Sequence, residues 1–189
     1  MLYRPERGRM WDPSIYFWRG EYWMLSMHYD GPDAPGTGMW LARSKDCAHF
    51  EGVGRVLENE GGLFKMFVNE AADGRLALNY GSTRGDDPNA DNDTMKYFVS
   101  SDMLHWEYVE ENHPDPRWYN PRGRWDHMYA LKDGGTYYGY TVATPNADRS
   151  SCIGLQKSGD GIHWTPAPPP EIEWGDVTPI DCLEGGGAA

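Results

Sequence analysis

Apolar and polar positions alternate along this chain in short runs broken by glycine and aspartate, the period of strands and not of helices. Three times an extended, aromatic-rich run meets a tight glycine turn and continues into a second such run. These are Ser14–Trp18, Arg19-Gly20 and Glu21–His28; Lys65–Glu70, Asp73-Gly74 and Arg75–Tyr80; and His127–Leu131, Asp133-Gly134-Gly135 and Thr136–Thr144. Gly and Asp tolerate the positive φ that such hairpins require. A third apolar run follows each hairpin: Met39–Arg43, Lys96–Val99 and Cys152–Gln156. Each unit then closes on the pattern Asp-x-x-His-aromatic, at Asp46–Phe50, Asp102–Trp106 and Asp160–Trp164.

The steps between these aspartates are 56 and 58 residues. Four strands repeated at that interval describe a β-propeller blade, in which no unit buries its apolar face without a neighbour. A β-sandwich is the alternative, but it gives no reason for a triple match at near-constant spacing. The expected fold is therefore all-β: three four-stranded blades plus the start of a fourth, an incomplete propeller. Blade one covers about 10–58, blade two about 62–112, blade three about 124–172, and the start of blade four 173–189. On this reading the chain is a fragment, and its open blade edge invites self-association.

Composition agrees, since 9 Trp, 12 Tyr, 23 Gly and 14 Pro suit aromatic strands joined by turns. A net charge of −12 argues against nucleic acid or an anionic membrane as partner, because both would be repelled. No apolar run is long enough to span a bilayer, and the N-terminus lacks a secretory core, which favours a cytoplasmic location. Cys47, Cys152 and Cys182 lack metal-ligand spacing and read as unpaired thiols in a reducing compartment. Neither a metal nor another cofactor is expected.

The candidate chemistry lies at the heads of the innermost strands, which converge on the propeller channel. Blade one opens with Trp11-Asp12-Pro13-Ser14, and blade three with Trp125-Asp126-His127-Met128. Gly20 and Gly134 are 114 residues apart, as are Asp12 and Asp126, and one further step of 58 leads to Glu184. Counted in this way, three carboxylates share one structural position, with Lys65 or Met66 there in blade two. Carboxylates that converge raise one another's pKa, giving the split in protonation that acid–base catalysis needs. Their structural alternative is that of ordinary turn residues. Trp11, Trp125 and His127 flank the acids as candidate substrate-binding groups, although aromatics in a propeller commonly fill the space between blades. The repeated His49, His105 and His163 are expected to hydrogen-bond the turn backbone on the opposite face.

At these residues the chain resembles the five-bladed propeller glycoside hydrolases of family 43 and relatives such as family 32. The resemblance implies Asp12 as general base, Asp126 as the carboxylate that tunes and orients the acid, and Glu184 as general acid. It implies a carbohydrate substrate, with arabinose- or xylose-containing saccharides favoured. Trp11 stands where the fructan-cleaving relatives carry Asn, which points to inverting hydrolysis. Little activity is expected from this chain without the remaining channel wall. The alternatives are a related glycoside phosphorylase and a non-catalytic propeller that binds carbohydrate or protein.

Overall fold

The computed structural model describes residues 3–5, 8–29, 38–58, 63–82, 94–146 and 151–170. Among them are twelve strands in three antiparallel sheets of four. The first sheet holds β1 (Arg9–Trp18), β2 (Glu21–Tyr29), β3 (Gly38–Ser44) and β4 (Glu51–Glu58), in that order. The second repeats it with β5 (Leu63–Glu70), β6 (Leu76–Ser82), β7 (Thr94–Ser100) and β8 (Glu107–Asn112). The third has β9 (Trp125–Asp133), β10 (Thr136–Ala143), β11 (Cys152–Ser158) and β12 (Thr165–Ala167). Each sheet is a blade, and the architecture is a partial β-propeller. Pro166 pairs with Gln156 in edge strand β12. Proline is tolerated there because an edge strand has N–H groups with no ladder partner to lose.

Alternation along each strand decides which neighbour a side chain meets. In β2, Trp23, Leu25 and Met27 face the second blade, where they meet Leu63, Met66, Leu76, Leu78 and Tyr80 in one buried cluster. Full burial of each such side chain is worth roughly 1.5–3 kcal/mol before entropy is counted. Blades two and three join through Met95, Tyr97, Trp125, Met128, Tyr137 and Trp164. This second interface carries a buried polar chain as well. Asn112 donates to Gln156 Oε1 at 2.6 Å and to the Trp164 carbonyl at 3.1 Å, while accepting the Trp125 indole N–H at 2.9 Å. The Tyr97 hydroxyl donates to the same Gln156 oxygen at 2.8 Å. Blade three exposes Tyr129, Leu131, Tyr140 and Ile153, and the Tyr129 ring meets Phe67 of blade two edge-on at 6.0 Å.

The repeated Asp-x-x-His turns form one structure three times. Asp102 Oδ1 accepts the backbone N–H groups of Leu104 and His105 at 2.9 and 2.8 Å, and Oδ2 meets His105 Nδ1 at 2.7 Å. Asp46 with His49, and Asp160 with His163, repeat the 2.7 Å contact. The histidine rings thus bind the aspartate carboxylate and not, as the sequence suggested, the turn backbone. A ring N–H gains more from a charged acceptor than from a carbonyl. The residue after each aspartate has positive φ: Cys47 at 60°, Met103 at 69° and Gly161 at 79°. These turns pack beside the hairpin ends of the blades, and the Ala72 N–H donates to the Asp160 carbonyl at 2.8 Å to tie blade two to blade three.

Candidate active site

The first strands β1, β5 and β9 stand side by side around an open channel of about 800 Å³, whose wall includes Pro13, Ser14, Lys65, Phe67, Asn69 and Tyr129. Ser14 Oγ donates across it to the Met66 carbonyl at 2.8 Å. At its head each of these strands carries a β-bulge, and each bulge holds a non-glycine residue at positive φ: Asp12 (46°), Lys65 (27°) and His127 (55°). Bulges of this kind re-aim a side chain and gather beside active sites.

The strand pairing fixes how the blades correspond. Trp11 pairs with Met27 and Ser14 with Leu25, leaving Asp12 and Pro13 opposite one residue. Asp126 pairs with Val142 and Tyr129 with Tyr140, leaving His127 and Met128 in the same place. Phe64 pairs with Gly81 and Met66 with Tyr80, which isolates Lys65. Asp12, Lys65 and His127 are therefore equivalent, and Asp126 corresponds to Trp11. This corrects the register inferred from the glycines. The two-residue turn of blade one is Arg19-Gly20, between Trp18 and Glu21, and that of blade three is Gly134-Gly135, between Asp133 and Thr136. Gly20 thus matches Gly135, one residue beyond the glycine used for counting.

Asp12 is exposed and lies close enough to Tyr29 to help raise that phenol's pKa, the larger cause being burial of the ring. Trp11 beside it is 55% exposed, leaving an accessible aromatic face. Asp126 differs in every respect. Its side chain has no exposure, and its carboxylate meets Arg124 through one guanidinium nitrogen at 3.1 and 3.2 Å and His127 Nδ1 at 2.7 Å. Gly81 of blade two sits directly on it, since a Cβ built there would lie 2.4 Å from the Asp126 Cβ. In this cluster solvent reaches His127 and Arg124, whose side chains are 20% and 31% exposed. Trp125 offers no ring face to a sugar: it is fully buried, tilted against Tyr119 at 4.9 Å, and belongs to the inter-blade core.

Glu184 lies outside the described residues, as do residues 30–37, 83–93 and 147–150. Among the described residues no group of three or more His, Cys, Asp and Glu could hold a metal ion. No helix there is long and apolar enough to cross a membrane. Cys47 is a free thiol, and Cys182 lies outside the described residues. Sequence reasoning passed over Arg124, and of its two blade-two candidates, Lys65 and Met66, the bulge holds Lys65. Arg124 was detectable as the residue two positions before Asp126, on the same face of extended backbone.

No protein-family model matches the chain, and no curated protein matches it significantly. Solved structures do. A thermostable family-43 glycoside hydrolase superposes with a TM-score of 0.66 at 18% identity, covering 84% of this chain and 54% of that one. The family-32 β-fructofuranosidase of Bombyx mori gives 0.70 at 20% identity, with 86% and 35% covered. An endo-arabinase from Bacteroides thetaiotaomicron gives 0.66 at 12% identity, with 89% and 65% covered. The chain thus spans between about a third and two thirds of the length of these structures. Its fold is that of the five-bladed propeller glycoside hydrolases of families 43 and 32, of which the described residues form three blades.

Proposed function

We propose, from this shared fold, that the chain contributes the first blades of a glycoside hydrolase acting on arabinose- or xylose-containing saccharides. Asp12 is the general base, Asp126 the carboxylate that orients and tunes the acid, and Glu184 the general acid. The observation that carries the reading is Asp12 itself: an exposed carboxylate in a bulge at positive φ, next to Pro13 on the channel wall. A base that activates water must reach both solvent and substrate, and this placement suits that task. Asp126 suits a supporting part, since its oxygens are taken up by Arg124 and His127 and its reach to a sugar would run through them. Inverting hydrolysis needs roughly 6.5–9.5 Å between base and acid, to seat a water.

The test is turnover of aryl α-L-arabinofuranosides and β-D-xylosides by the longest natural form of the protein. Asp12→Asn and Glu184→Gln are each expected to lower kcat by about 100-fold or more. Product configuration by NMR is expected to show inversion, and net retention would make Asp12 a nucleophile instead. The second reading is a saccharide-binding propeller without catalysis. Binding of the same glycosides without any turnover would establish that reading.

A further inference from the structure

Blade two supplies the channel with a residue that neither the fold nor the hydrolytic reading assigns. Lys65 stands in the bulge matched to Asp12 and His127, at φ 27°, and lines the channel. A lysine gains nothing locally from this conformation, which an L-residue adopts only at a cost of about 1–3 kcal/mol. Two contacts hold the residue in place. Its N–H donates to the Met27 sulfur of blade one at 3.3 Å, and its ammonium lies 5.6 Å from the centre of the Phe67 ring. Among the described residues it has no ion-pair partner. The neighbouring cation Arg124 is already matched by Asp126. The wall's other lysine, Lys132, sits at the far end of β9 over Tyr137. Gly81, paired with Phe64 immediately before Lys65, packs on Asp126, so the lysine and the Arg124–Asp126–His127 cluster share one end of the channel.

Lys65 is a half-buried residue with no ion-pair partner among the described residues, so a ligand bringing an anion would supply the counter-charge it lacks there. In a chain of net charge −12 an anionic ligand gains nothing from the overall field and needs a local cation. We infer that Lys65 is a specificity residue that reads an anionic substituent, a carboxylate or a phosphate ester, on the saccharide held in the channel. This rests on the channel being a saccharide site, and it does not require that the bond be cleaved.

The experiment is calorimetric titration of the chain with D-glucuronate, D-glucose 6-phosphate and D-glucose, for the wild type, Lys65→Met and Lys65→Arg. Methionine keeps the stem over Phe67 and removes the charge, and circular dichroism checks that each variant folds. Wild type is expected to bind one of the acids at least about tenfold more tightly than glucose. Lys65→Met loses that preference and Lys65→Arg keeps it. The relative strength of the two acids tells carboxylate from phosphate. Equal binding of all three sugars, no binding of any, or a preference that survives in Lys65→Met overturns the inference. Turnover of neutral aryl glycosides without a preference for acids would sink this inference alone. An acid preference without turnover would sink the hydrolytic reading alone.

Discussion

Asp12 and His127 occupy matching points of β1 and β9, each inside a bulge and each at positive φ, 46° and 55°. The equivalence assigns different work to neighbouring residues of blade three. His127 holds the bulge position and remains partly exposed to solvent. Asp126, one residue earlier, is buried and holds the imidazole at 2.7 Å. An acid behind a histidine fixes which nitrogen carries the proton and how the ring is turned.

The fit between Gly81 and Asp126 gives the first expectation. Gly81→Ala places a methyl group 2.4 Å from the Asp126 Cβ and 3.1 Å from its Cα, and neither can yield without moving β9. Overpacking of this kind costs about 1–3 kcal/mol. Urea denaturation should show that loss, and the His127 ring resonances should shift, because the carboxylate that orients the ring is displaced. An unchanged His127 spectrum would mean the two blades meet differently.

Asn112 is the polar centre of the interface between blades two and three. Asn112→Ala strands the Trp125 indole N–H and removes a donor to Gln156 and to the Trp164 carbonyl. Unsatisfied groups in a buried network cost about 1–3 kcal/mol each, so a loss of roughly 2–4 kcal/mol is expected on denaturation. Asn112→Asp should recover little, since it keeps the acceptor but supplies no donor.

The Asp-x-x-His turns allow a comparison within one molecule. Cys47 adopts φ 60° on the surface, where Cys47→Gly relieves strain and is expected to be neutral or stabilising by up to about 1 kcal/mol. Gly161 adopts φ 79° in the third turn, and a Cβ there would lie 2.9 Å from the Tyr137 ring. Gly161→Ala should therefore destabilise by about 1–3 kcal/mol. Thermal melts of the two variants should move in opposite directions or, at the least, by clearly unequal amounts.

The third of these turns also predicts a response to pH. The hydrogen bond to Asp160 raises the pKa of His163 above its ordinary value. Its stabilising contribution is fully present below the unfolded value of about 6.5, and it is lost as pH climbs through the raised folded one. Partial burial pushes the Asp160 carboxyl up, but bonds from the His163 ring and the His163 and Ile162 N–H groups hold it well below the usual range. That contribution is present above about pH 3.9 and fades only as pH falls through the lowered folded value. The melting temperature should decline between about pH 6 and 8, and His163→Gln should flatten that decline.

How much of this was legible in the sequence depended on how local each feature is. The Asp-x-x-His turns and the strands around them were readable because a side chain two or three residues away closes each turn. The blade arrangement followed from their spacing. The register at the strand heads was not readable, because a bulge leaves no fixed residue signature: Asp12, Lys65 and His127 share a backbone state and no chemistry. Glycine counting also failed at the hairpins, where Arg19 takes φ 49°, a place for which glycine is the usual choice. Trp125 and Trp11 both precede or flank an aspartate, yet one is core and the other exposed. Only the neighbouring blade decides between those fates.

The recurring kink at the head of β1, β5 and β9 separates the shape of the scaffold from the chemistry mounted on it. Because the backbone supplies the bend, each wedge offers a socket that already accepts an acid, an amine or an imidazole. Trading occupants among these three seats would change the chemistry at the strand heads and leave the rest of each sheet untouched.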